Sequence, residues 1–136
     1  MKKICFLIFF ISSAHAIDVS AMKGMVFGQY DLIGKSIGSK NTYFGEVSIG
    51  GTDDNMTVTR IINDKIVKGT AAIEHTTGDK VHVLRMRFEE NDNNFEETCL
   101  VDIDLDNYAR LTCHLYIPNE TVSEPGLEAM FIKHED

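Results

Sequence analysis

The chain has 136 residues, with 13 bases against 21 acids, three cysteines and no tryptophan. That acidic balance argues against nucleic acid and against anionic membrane surfaces as partners. No apolar stretch reaches the roughly 20 residues that a helix needs to cross a bilayer, so no membrane span is expected.

In chain order, the first element is a leader. Lys2 and Lys3 precede the apolar run Ile4 to Ile11, and Ser12-Ser13-Ala14-His15-Ala16 supplies a small-x-small cleavage site. This predicts a signal peptide over 1–16, cut after Ala16, and a periplasmic or extracellular mature protein. Cys5 stands before the apolar run and not at the cut, which argues against a lipid anchor. Lys2 and Lys3 leave with the leader and no acid does, so 11 bases and 21 acids remain, a net of −10. Such acidity suits solubility, and a cationic protein is the charged partner it would favour. The remaining 17–136 reads as one domain, long enough to bury a core.

Short apolar or alternating runs follow, separated by turn residues, and this spacing predicts an all-β meander. The first run is Met25 to Ile33, followed by a flexible loop over 34–41. The second, Thr42 to Ile49, places Tyr43, Val47 and Ile49 on one face and ends at Gly50-Gly51. The third, Met56 to Ile62, runs into the two-residue turn Asn63-Asp64 and then the fourth, Lys65 to Ile73. The fifth, Val81 to Phe88, puts Leu84, Met86 and Phe88 on one face and Arg85 and Arg87 on the other. Glu89 to Asn94 reads as a polar loop. Phe95 to Leu105 and Tyr108 to Ile117 are the sixth and seventh runs, and Leu127 to Ile132 is a last strand or a short helix.

Export strips Cys5 and leaves Cys99 and Cys113, an even pair in an oxidising compartment, which reads as one disulfide. Placing the two opposite each other sets Val101 against Leu111, Asp102 against Arg110 and Asp104 against Tyr108, with the turn at Leu105-Asp106-Asn107. Apolar then meets apolar on the core side and opposite charges meet on the wet side. Seven or eight antiparallel strands must close or stack. We expect an up-and-down antiparallel β-barrel, which removes exposed edges, with a β-sandwich as the alternative. Gly45 and Gly69 fall mid-strand, where a tightly curved barrel wants a kink.

The chemistry-bearing patterns are few. Gly34-Lys35-Ser36 lacks the glycine spacing of a phosphate loop. Asp102 to Asn107 begins like a calcium loop but has Asn107 where glycine belongs and Cys113 where a bidentate glutamate belongs. His75, His82, His114 and His134 show no metal-ligand spacing, so no metal and no cofactor is expected. There is no Gly-x-Ser-x-Gly elbow, and the acidic pairs Asp53-Asp54 and Glu89-Glu90 read as solvated loop acids. The sequons at Asn55 and Asn119 are expected to go unused, because the short lysine-led leader looks bacterial. Arg60 is different: it shares a strand face with Met56, Val58 and Ile62. It points outward, or inward to an acid, or inward as an anchor for the carboxylate or phosphate head of a ligand.

The segments Gly28-Gln29-Tyr30, Tyr43 to Ile49, Met56 to Arg60 and Gly69 resemble the first half of small bacterial calycin-type barrels, the lipocalin and avidin relatives. The resemblance covers 28–73 and implies an up-and-down barrel with a binding role. Without tryptophan, the lipocalin Gly-x-Trp signature and the biotin-stacking residues are missing, so biotin binding is not carried over. A small exported barrel with one disulfide also resembles bacterial periplasmic lysozyme inhibitors. Their serine-glycine-x-x-tyrosine loop has no match here, Gly38 to Tyr43 being the nearest stretch. The expected function is a monomeric exported protein that is no enzyme and binds a small apolar or amphipathic ligand in the barrel mouth, with Arg60 as anchor. The alternative is a protein-interaction module, such as an enzyme inhibitor or a host-directed factor.

Overall fold

An aspartate makes a good helix cap because its carboxylate takes up a backbone N–H that the first turn leaves unbonded. In the computed structural model, which describes residues 18–76, 78, 81–102 and 109–134, Asp18 accepts the Ser20 N–H at 3.3 Å and starts helix α1 (Val19–Val26). Eight strands follow: β1 (Gly28–Lys35), β2 (Thr42–Gly51), β3 (Met56–Ile62), β4 (Lys65–Thr76), β5 (Val81–Glu90), β6 (Asn93–Val101), β7 (Leu111–Tyr116) and β8 (Gly126–Ile132). Each pairs antiparallel with the next, and β8 returns to β1 from Tyr30↔Ile132 to Lys35↔Leu127, so the sheet is a closed up-and-down barrel. The barrel, not the sandwich, is the fold, and no sheet edge is left exposed. Among the described residues, no helix is long and apolar enough to cross a membrane.

Closure follows from the period-two pattern. Tyr30, Leu32, Val47, Ile49, Val58, Leu84, Met86, Leu111 and Met130 all point inward and are nearly or fully buried. An eight-strand barrel is just wide enough for such side chains to fill. They fill the half of the barrel from which β1 starts. The helix lies against that same end: Met22 and Val26 are buried, and Tyr30 donates to the Val26 carbonyl at 2.7 Å. Lys23 reaches the Asp53 carbonyl at 2.7 Å, and Arg110 reaches that of Met25 at 3.2 Å.

Two expectations need correction. The run read as a strand from Met25 splits, because Met25 and Val26 are the last residues of α1. Gly28, at φ +153°, then begins β1. An apolar helix end joined directly to an apolar strand leaves no punctuation in the pattern. Glu89 to Asn94 is not a loop: β5 runs to Glu90, β6 starts at Asn93, and only Asn91 and Asp92 turn, both left-handed (φ 50° and 62°). Asn63 and Asp64 do the same at 51° and 63°, as expected of a primed hairpin turn. The last run, open between strand and short helix, is a strand, β8.

Cys99 and Cys113 form the disulfide that joins β6 to β7, and Val101 faces Leu111 in the expected register. The Asp102 N–H donates to the Arg110 carbonyl at 2.8 Å. The leader, the turn at 105–107 and the Asp104–Tyr108 pairing lie outside the described residues. Gly69 is where β4 and β5 touch: a Cβ there would lie 2.1 Å from the Arg87 carbonyl oxygen and 2.8 Å from the Phe88 Cβ. Only glycine permits that approach, as a tightly curved sheet requires.

Candidate functional site

The opposite end of the barrel carries charge inside. Arg60 is the fifth residue of β3 and, by alternation, shares the inward face of Met56 and Val58; only 3% of its surface is exposed. β6 brings Glu97 inward between Phe95 and Cys99, and β8 brings Glu128 inward between Gly126 and Met130. Glu97 is fully buried and Glu128 nearly so. Arg60 grips both. Its Nη1 donates to Glu97 Oε1 and, at 2.8 Å, to Glu128 Oε2, while Nη2 donates to Glu128 Oε1 at 2.6 Å. The Glu128 pair is the two-pronged kind that guanidinium geometry favours. Tyr43 of β2 donates its hydroxyl proton to Glu128 Oε1. The Phe88 ring lies against the guanidinium, with its centroid 4.4 Å from Arg60 Cζ.

The two carboxylates are not equivalent. Burial pushes the Glu97 carboxyl well above its ordinary range; Arg60 opposes this and the neighbouring Glu128 adds to it. Burial also raises Glu128, but hydrogen bonds and charge from Arg60 outweigh it and hold this carboxyl below the usual range. For Arg60, burial disfavours the charge, yet Glu97 and Glu128 more than restore it. Burial and the adjacent Glu128 drive the Tyr43 phenol far above its normal value, so it stays protonated. Glu97 Oε2 has no hydrogen-bond partner among the described residues.

Above this cluster lies a cavity of about 540 Å³. Tyr43, Arg60, Phe88 and Leu115 reach it from the barrel, and Phe95 and Ile62 add apolar wall nearer the rim. Phe95 stacks on Phe88, centroids 5.6 Å apart. The β1–β2 loop and the 117–125 connection flank the opening and are joined by Gly38 N–H donating to the Glu124 carbonyl at 3.0 Å.

Of the three arrangements open to Arg60, outward, inward to an acid or inward as a ligand anchor, the structure shows it inward and bound to acids. Sequence reasoning missed Glu97, Glu128 and Tyr43 as its partners. Alternation back from Cys99 through Glu97 to Phe95 would have put Glu97 inside. Glu128 had no such signal, because the outward neighbours Leu127 and Phe131 are themselves apolar and 39% exposed. The structure also sets His75 beside His82 across β4 and β5, ring centroids 4.1 Å apart, which spacing along the chain does not reveal. Glu97 approaches Cys99 and Cys113 within 4.8 Å, but these sulfurs are bonded to each other and offer no thiolate to a metal.

No protein-family model matches this chain, and no curated protein or solved structure matches it.

Proposed function

We propose that this protein is an exported binding protein that holds a small amphipathic molecule in the open mouth of the barrel and catalyses nothing. The observation that carries this reading is the cavity of about 540 Å³ directly above Arg60, with apolar walls and a polar floor. Pockets of that kind, mostly apolar with a few fixed polar groups, are the usual sites for small ligands. The resemblance of 28–73 to calycin-type barrels is in keeping with it. The disulfide suits an oxidising compartment, as the leader implies.

Two observations weigh against the neighbouring readings. Glu97 and Glu128 are held by Arg60 beneath the floor and do not line the cavity, so they are badly placed to exchange protons with a substrate. The acidic stretches that would meet a cationic protein partner are tight turns, not protruding loops. Thr52 and Asn55 bond each other across the β2–β3 turn, and Glu90 is the last residue of β5.

Titration with an uncharged environment-sensitive dye tests the site. Binding with a blue shift is expected, and Val122→Trp, which puts bulk into the mouth from the 117–125 connection, should abolish it. Native mass spectrometry of protein from its own host should show a bound small molecule. A dye that does not bind, or that binds the Trp variant equally well, refutes a ligand site here.

A further inference from the structure

We propose that two copies of this chain associate through an apolar patch on the outer wall of the barrel, centred on Phe44. The mouth has no part in this, so the inference stands or falls apart from the ligand reading. It takes the place of the monomer expected from the sequence.

A closed barrel has no free edge to pair, so its copies can meet only through side chains. The outward residues of an antiparallel wall are ordinarily polar, because that face meets water. One side of this wall obeys. Arg87 of β5 binds Glu74 of β4 at 2.9 Å and Glu96 of β6 at 2.8 Å. The other side does not. Among the described residues, eight large apolar side chains are left exposed, and six of them stand on the adjoining strands β8, β1, β2, β3 and β4. They are Leu127, Phe131, Ile33, Phe44, Ile61 and Ile66.

Register makes these six one surface. Ile33 lies opposite Phe44 on one side and Ala129 on the other. Ala129 sits between Leu127 and Phe131 on the outward face of β8. Ile61 lies opposite Glu46, two residues along β2 from Phe44, and is thus the diagonal neighbour of Phe44. Ile66 lies opposite Ile61.

Area and charge say what covers the patch. The exposed fractions of the six residues amount to nearly three large residues laid bare, on the order of 500 Å². That is near the upper end of what a monomer usually leaves open, about 300–600 Å². A standard interface takes about 800 Å² from each partner. In homodimers about 65% of that area is apolar, and the patch supplies that share. The chain as a whole carries 13 bases against 21 acids, so most pairs of faces repel. Around the patch the charges nearly balance: Asp31 and Glu46 against Lys35, Lys68 and Lys133. Lys133 holds Glu46 at 2.6 Å and Asp31 at 3.2 Å. Two acidic copies can therefore meet here without that repulsion. One surplus base is far short of the roughly four to eight that hold a protein to an anionic bilayer.

The test is analytical ultracentrifugation of the protein as purified from its host, across the micromolar range. A species of twice the chain mass is expected, dissociating on dilution. Phe44→Glu should raise the dimer dissociation constant about thirtyfold or more, the effect of losing one central aromatic anchor. Ile66→Glu, at the border of the patch, should weaken the dimer less. Both side chains are largely bare, at 69% and 61%, so neither change disturbs the core. Leu100→Glu is the control. Leu100 is as exposed, at 62%, but β6 stands opposite β2 in the ring of eight, and association should not change. A monomer throughout the range refutes the inference; if that monomer floats with vesicles of anionic lipid, the patch is a membrane contact instead. A dimer unaffected by both Phe44→Glu and Ile66→Glu, or weakened as much by Leu100→Glu, is built on another face and also refutes it.

Discussion

Replacing Arg60 by methionine removes the charge while keeping an unbranched chain of similar reach. Glu97 and Glu128 then lie buried with only Tyr43 among their present partners to donate to either. Removing one partner of a buried ion pair typically costs about 3–5 kcal/mol, because the remaining charge loses its compensation without regaining water. Arg60, at 3% exposure, sits at the full-burial end of that range. With a urea slope of about 2 kcal/mol per molar, ordinary for a small protein, the unfolding midpoint should fall by roughly 2 M at pH 7. The loss should shrink on acidification. In the native protein Glu128 titrates below its unfolded value, so its stabilisation is present above that value and is lost as pH falls through the folded one. In Arg60→Met both carboxyls titrate above their unfolded values, so that variant gains stability as pH falls. Neutralising the acids as well, in Arg60→Met/Glu97→Gln/Glu128→Gln, should recover most of the deficit, since replacing a whole buried ion cluster is often nearly neutral. A midpoint shift below about 0.5 M at pH 7, or an equal shift at pH 7 and pH 4, would refute the reasoning.

Three further outcomes follow from the same structure. Glu97 holds its proton above the ordinary carboxyl value near 4.5, so wild-type stability should decline as pH rises from there toward its folded pKa; Glu97→Gln should be flat over that interval, as thermal melts between pH 4.5 and 8 would show. Reducing the Cys99–Cys113 bond, which spans 14 residues, should cost about 3 kcal/mol by chemical denaturation. Both sulfurs are fully buried, so in native buffer they should resist dithiothreitol until the barrel opens. Gly69→Ala forces β4 away from the Arg87 carbonyl and should destabilise by about 1–3 kcal/mol, with dye binding weakened as well because the adjacent Phe88 supports Arg60; a neutral melt would show that the approach at Gly69 is easily relaxed.

The parts of the fold legible in the sequence were those where one face is apolar and the other polar. β6 and β7 alternate cleanly, so their register and disulfide could be read from Cys99 and Cys113 alone. Asn63-Asp64 announced its turn because few other residues accept two successive left-handed conformations. Asn91-Asp92 was equally suited, but the surrounding Glu89, Glu90, Asn93 and Asn94 are polar on both faces, and the strand ends merged into apparent loop. The helix was missed for a different reason: its two buried residues, Met22 and Val26, are four apart, one helical turn, yet Met25, Val26 and Phe27 run on into β1 like a strand. The site was half legible. A charged residue among apolar neighbours on one face marked Arg60, but what that charge meets depends on which strands lie across the barrel. Glu97 and Glu128 are 37 and 68 residues away, and no local pattern carries that information.

The seam between β1 and β8 sets an order of events for the newly made chain. The contact from Tyr43 to Glu128 spans 85 positions, and Glu128 belongs to the last strand. Arg60 therefore gains its two-pronged partner only after 68 further residues have emerged. Until then the unfinished sheet has two open sides and a basic residue within, a state ill-suited to closing early. Deleting β8 would thus unmake the floor of the mouth and the ring together.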